Sequence, residues 1–217
     1  MKEKQTQMSE MVQMTKVHPL PSSSSSSSQS SSSSSITQRR EIYTVWMKSL
    51  VFNGNGCTIY DSDGRIVYRV DNYDCKCSAE VFLMDHSGKT LLKILRKKLR
   101  LFGQWEGHRC CGADGEGEEP WFRVQKACGS LRRSQSSEAC TVRVGCGTCF
   151  KIDGWAHKSE YRIKSMDGEV VAGVKRKQTT NGVVLGEDVL SLVVEPSVDH
   201  LLIMGLVVVC GLINHCM

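Results

Sequence analysis

No catalytic signature runs through this 217-residue chain. It has no Gly-x-Ser-x-Gly elbow to expose a nucleophilic serine, no Gly-x-x-x-x-Gly-Lys-Ser loop to cradle phosphates and no His-Glu-x-x-His pair to hold zinc. No enzymatic activity and no cofactor are therefore expected. Charge of one sign is scarce as well. The 28 Lys and Arg against 23 Asp and Glu leave +5, too little to argue for nucleic acid. The opening Met1-Lys2-Glu3-Lys4-Gln5 is polar where a secretory signal would place its apolar run. Together with an odd count of 11 cysteines, this predicts free thiols in a reducing compartment, the cytosol or the nucleus. Cys146-Gly147-Thr148-Cys149 has zinc-ligand spacing, but no second Cys-x-x-Cys and no His-x-x-x-His completes a tetrahedron. Cys75, Cys77, Cys110 and Cys111 add thiols without that spacing. Asp61-Ser62-Asp63-Gly64 lacks the glutamate of a calcium loop, Arg69 standing in its place, so no metal is expected.

What is present begins with serine. Ser22–Ser28 and Ser30–Ser35 are interrupted only by Gln29. Such a stretch buries nothing and cannot offset its ordering entropy, so residues 1–40 are expected to form a disordered leader. Its serines, close to Arg39 and Arg40, also suit a phosphorylation-controlled arm. Within it, Met14-Thr15-Lys16-Val17-His18-Pro19 marks an alternative start to Met1.

From residue 41 to 217 the texture is that of one domain. Hydrophobic residues at 40% and charged residues at 24% suit a globular core. Tyr43–Phe52 reads as a strand and Asn53-Gly54-Asn55-Gly56 as the turn after it. Three stretches repeat a strand, an Asp/Gly turn and a strand, turning at Asp61–Gly64, Asp85–Gly88 and Met166–Gly168. Further strands are expected at Leu99–Trp105, Trp121–Ala127, Ala139–Val144, Thr148–Ile152 and Asp188–Val194. About a dozen short strands at this spacing predict a sandwich or a barrel. Trp46, Trp105, Trp121 and Trp155 read as core or rim aromatics, since no RNA-binding signature surrounds them.

The last segment differs. Leu201, Leu202, Ile203, Met204, Leu206, Val207, Val208, Val209, Leu212 and Ile213, with Gly205, Cys210 and Gly211 between them, form an uncharged run. A helix over about 197–215 is expected, with Ser197 as N-cap and Asp199 in the first turn. A helix apolar on every face needs a bilayer or the inside of a barrel around it. The run is shorter than the about 20 residues of a membrane span, which favours a barrel plug over a tail anchor. The β-branched Val207-Val208-Val209 leaves a strand as the third reading.

Several stretches carry a family resemblance: Val45–Leu50; Asn53–Cys57 running into Asp61–Arg65; Tyr68–Tyr73; and Pro196–His200 through Leu206. Together they resemble the plant LURP-one-related proteins, themselves similar to tubby C-terminal domains and phospholipid scramblases. The resemblance implies a mainly β fold, a twelve-stranded antiparallel β-barrel around a central hydrophobic C-terminal helix. It departs at Ser197, where glycine is expected, and the Cys-rich stretch 128–149 is peculiar to this chain. It implies an adaptor or regulator of defence or stress responses, without catalysis, cytoplasmic with the nucleus or the plasma-membrane periphery as alternatives. Protein partners of unspecified identity and a monomeric state follow. The tubby likeness adds anionic lipid binding, or DNA-associated regulation, as alternatives. Lys93, Arg96, Lys97, Lys98 and Arg100, with Lys175, Arg176 and Lys177, are the densest cations and the candidate lipid or phosphate site; solvated strand faces are the plain alternative.

Overall fold

Alternation builds the wall. In β1 (Glu41–Trp46) Tyr43 and Val45 are buried while their neighbours are not, and β4 (Glu80–Asp85), β8 (Cys140–Val144) and β10 (Glu160–Ser165) repeat the rhythm. Successive side chains of a strand point to opposite faces, so each strand gives one face to a core and one to solvent. The computed structural model describes residues 38–48, 55–72, 80–97, 104–110, 119–126, 140–145, 147–154 and 160–214. The serine leader and Cys75, Cys77, Cys111, Cys146 and Trp155 lie outside them.

The remaining strands are β2 (Asn55–Tyr60), β3 (Ile66–Asn72), β5 (Thr90–Lys97), β6 (Gln104–Arg109), β7 (Phe122–Lys126), β9 (Cys149–Asp153), β11 (Val170–Arg176) and β12 (Val189–Val194). Each pairs antiparallel with its sequence neighbours, and β1 pairs with β12 from Glu41↔Val194 to Trp46↔Val189, closing a twelve-stranded barrel. The expected Asp/Gly hairpins are present. Asp61 Oδ1 accepts from the Asp63 and Arg65 amides at 2.9 and 2.8 Å, and Asp85 Oδ1 accepts from Ser87 and Lys89 at 2.9 and 3.0 Å. These carboxylates serve the turn.

Three strand boundaries differ from expectation. Where a strand Tyr43–Phe52 is expected, β1 ends at Trp46 and Met47 and Lys48 follow as a bend, with residues 49–52 outside the described region. Asn55 and Gly56 belong to β2, not to the turn before it. Of the expected strand Leu99–Trp105, residues 99–103 lie outside the described region, while Gln104 and Trp105 open β6, which runs on to Arg109. Glu106, Gly107 and His108 hide this strand from a hydrophobicity reading, yet Gly107 is required. A Cβ there would stand 2.3 Å from the Phe122 ring.

The terminal segment is α1 (His200–Ile213), about 21 Å long. Every residue from Leu202 to Gly211 is buried, on all faces of the helix, so barrel walls surround it. The wall approaches closely at Gly205, where a Cβ would lie 2.7 Å from Leu92 Cδ2 and 3.0 Å from Phe122 Cε1. The N-cap is Asp199, not Ser197: its Oδ1 accepts from the Leu201 and Leu202 amides at 3.0 and 3.2 Å. Ser197 has φ 66, a left-handed conformation that glycine adopts without strain. The glycine expected there thus answers to backbone geometry, and serine does not replace it as a cap. No described helix is long and apolar enough to cross a membrane.

Candidate functional site

The antiparallel order fixes where the cations go. β5 and β11 are six strands apart in either direction round the barrel, so the described residues of the two basic clusters occupy opposite walls. Lys93 Nζ lies 2.7 Å from Glu80 Oε1, Lys97 Nζ lies 3.2 Å from Glu106 Oε2, and Arg96 sits 5.7 Å from the centre of the Trp105 ring. Lys98 and Arg100 lie outside the described residues. On the other wall Arg176 reaches Glu187 at 3.4 Å, Lys177 Nζ donates to Thr44 Oγ1, and Lys175 is exposed.

Glu106 organises the β5 side. Burial raises a carboxyl pKa, but Lys97 and Arg123 outweigh that and hold Glu106 below the usual carboxylate range. Gln104 Nε2 donates to its Oε1 at 2.8 Å. The β5 cations are therefore partly spent on their own wall.

Beside β11 the wall is dented. Gly173 leaves open space where a side chain would stand, and a groove of about 220 Å³ runs over it between Arg162, Lys175, Arg40, Glu160 and Glu195. Val193 and Val170 supply its apolar lining. Cross-strand pairing continues the row through Arg162↔Gly173, Gly173↔Val193 and Ile42↔Val193, and Ile42 is exposed.

Both basic clusters nevertheless reach one rim, because odd-numbered strands all run the same way. β1, β5 and β11 end there at Trp46, Lys97 and Arg176. That rim also carries the β11–β12 loop, 177–188. It is an ordered extension of the hairpin. Gln178 bridges Val184, the Val183 oxygen accepts from the Thr179 amide at 2.8 Å, and the Leu185 amide donates to the Lys177 oxygen at 3.0 Å. Its root is clamped to β1. Trp46 Nε1 donates to Asp188 Oδ2 at 3.0 Å and Lys48 Nζ lies 2.9 Å from the same oxygen, which holds the Asp188 pKa down. The turn at its apex is Thr179–Gly182, where the Gly182 amide donates to the Thr179 oxygen at 3.0 Å, and Val183, Val184 and Leu185 on the returning arm are 63%, 43% and 50% exposed. Sequence reasoning missed this loop. The hairpin signal Asn181-Gly182 before an apolar triplet could have found it.

The opposite rim admits the helix N-terminus through polar contacts. Arg109 pairs with the capping Asp199 and lies 3.7 Å over the Trp121 ring. Tyr43 donates its phenol proton to Glu41 Oε2 at 2.6 Å, so its 2.7 Å contact with His200 Nδ1 has the imidazole as donor. Burial, and then Glu41, raises the Tyr43 pKa, while burial lowers that of His200. These groups latch the helix into the barrel. Cys57, Cys140 and Cys210 are buried, and burial pushes the Cys57 thiol up to about 12, far from a thiolate ligand or nucleophile.

The family model described as LURP-one-related matches residues 41–211. Protein LURP-one-related 11 of Arabidopsis thaliana is 43% identical over 208 residues, covering 93% of this chain and 89% of that protein. Protein LURP-one-related 4 of the same plant is 46% identical over 180 residues, 82% and 81% of the two chains. A crystal structure of an Arabidopsis thaliana protein superposes with a TM-score of 0.57 at 18% identity, covering 83% of this chain and 94% of that one.

Proposed function

The chain belongs to the LURP-one-related family, and from that premise we propose that it is a non-enzymatic plant adaptor or regulator of defence or stress responses. The observation that carries this reading is that its barrel is filled by its own helix. With Leu202–Gly211 packed inside, a ligand has the outer wall and the two rims to meet. The groove over Gly173, with Arg162 and Lys175 beside exposed Ile42, suits an acidic and apolar stretch of a partner protein. Proximity labelling in plant tissue, with and without pathogen challenge, tests it. A partner set enriched on challenge is expected, and Arg162→Glu with Lys175→Glu should lose it while melting like the wild type. The same set retained by that variant removes the groove from the reading; no challenge-dependent set removes the reading itself.

A second reading, binding to anionic lipid, has its own support: Lys97, Arg176 and Lys177 converge on one rim although their strands lie on opposite walls. Cations at an anionic surface contribute about 1 kcal/mol each. Sedimentation with acidic vesicles at low salt, and its loss at high salt, tests this class of ligand.

A further inference from the structure

We propose that the groove over Gly173 is one end of a longer docking track, a basic belt across β11, β10, β9, β8 and β7 that holds an extended acidic segment of a partner protein. The proposal rests on the first reading and names the chemistry of its partner.

Strand register assembles the belt. Lys175 and Arg162 stand at the groove, Lys151 is directly opposite Lys164 on β9 and β10, and Arg123 is directly opposite Arg143 on β7 and β8. No two of these cations adjoin in sequence, so no basic run announces them. All but Lys164 are exposed. Like charges directly opposite each other on neighbouring strands destabilise a sheet. Carboxylates relieve only part of this: Asp153 pairs with Lys164 at 2.9 Å, and Glu106 is shared between Arg123 at 3.3 Å and Lys97 at 3.2 Å. Glu160, across from Lys175, tempers the groove end. Arg143, Lys151, Arg162 and Lys175 make no ion pair among the described residues. The wall therefore carries charge at a cost in stability that an anionic ligand would offset.

Shape selects the ligand. Neighbouring strands lie about 4.8 Å apart, so the belt runs about 19 Å along the wall. Its five strands are consecutive in a barrel of twelve and take up about a third of the girth. A bilayer is flat and a nucleic acid duplex is stiff, so neither follows that curve. A single nucleic acid strand stacks its bases on exposed aromatic rings, and no described residue of these strands exposes one. An extended polypeptide of about six residues spans the belt and bends with the wall. It also places an apolar side chain in the dent at Gly173, against Val193 and Val170.

The test is fluorescence anisotropy of the full chain with labelled peptides of about ten glutamates, with and without a leucine at one end. The wild type should bind both at low salt, the leucine peptide more tightly, and release them at high salt. Arg143→Thr with Lys151→Thr, outside the groove and compatible with a strand, should weaken binding about five- to tenfold without lowering the melting temperature. Arg65→Ser with Lys89→Ser removes the same charge from two turns outside the belt and should leave binding unchanged. Gly173→Val fills the dent, where a Cβ meets open space, and should abolish the preference for leucine. Equal weakening by the two double variants would assign the attraction to net charge and overturn the belt. Undiminished binding by Arg143→Thr with Lys151→Thr would overturn it too, leaving the ligand to the groove alone. So would tighter binding of a thymidine oligonucleotide or of phosphatidylserine vesicles through the same residues. A wild type that binds neither peptide overturns the belt, while the adaptor reading still stands or falls by proximity labelling.

Discussion

A left-handed serine and a buried histidine bracket the entrance of the helix. Ser197 holds φ 66, which costs a residue with a Cβ about 1–2 kcal/mol. Ser197→Gly relieves that strain and returns part of the gain as unfolded-chain entropy. A net stabilisation of about 0.5–1 kcal/mol is expected in urea titration. An unchanged midpoint would mean that the strain is already relieved. This position was legible as an anomaly, an expected glycine replaced, but its cause lies in the backbone angle, which no residue type announces. His200 gives a pH dependence. Burial holds its folded pKa below the ordinary 6.5, so on acidification the unfolded chain takes up a proton before the folded one does. Stability is complete above about 6.5 and falls as the pH drops below it, until the folded histidine also protonates. His200→Gln should flatten the slope of unfolding free energy against pH just below 6.5. An identical slope would assign the dependence to another group.

Among elements, the helix was the most legible and β6 the least. Thirteen uncharged residues in a row leave few environments open, and their number favoured the barrel over the bilayer. β6 spends its outward positions on Gln104, Glu106 and His108 and an inward one on Gly107, so composition gives no alternating apolar signal. Only the pairing of Phe122 across from Gly107 explains it. The helix side chains contribute about 1.5–3 kcal/mol each on burial, together more than the about 5–15 kcal/mol net stability of a domain. Truncation after Glu195 should therefore leave an unfolded or insoluble chain, and Leu206→Asp, which strands a charge in a dry interior, should do the same. A truncated chain with dispersed amide resonances and cooperative melting would show that the wall stands without its filling.

For the whole molecule, the dozen strands were readable because their turns carry Asp and Gly. Closure was legible only through the family resemblance, because Trp46↔Val189 joins residues that share no local pattern. The candidate site was readable as composition only. A run of cations in the sequence says nothing of the carboxylates across the strand, such as Glu80 and Glu106, that neutralise part of it. The serine leader is proposed to be a separate segment, so deletion of Met1–Ser35 should leave the melting temperature unchanged within error. A fall of several degrees would reveal docking on the barrel. The order of the chain has a last consequence, for biosynthesis. All twelve strands precede the helix that fills them, and β1 waits for β12 to close the wall. While the ribosome is still making the chain, each emerging hairpin exposes an apolar inner face with nothing to cover it, and the edge of β1 stays unpaired. The barrel can therefore be closed and filled only once synthesis has passed β12 and reached Ile213.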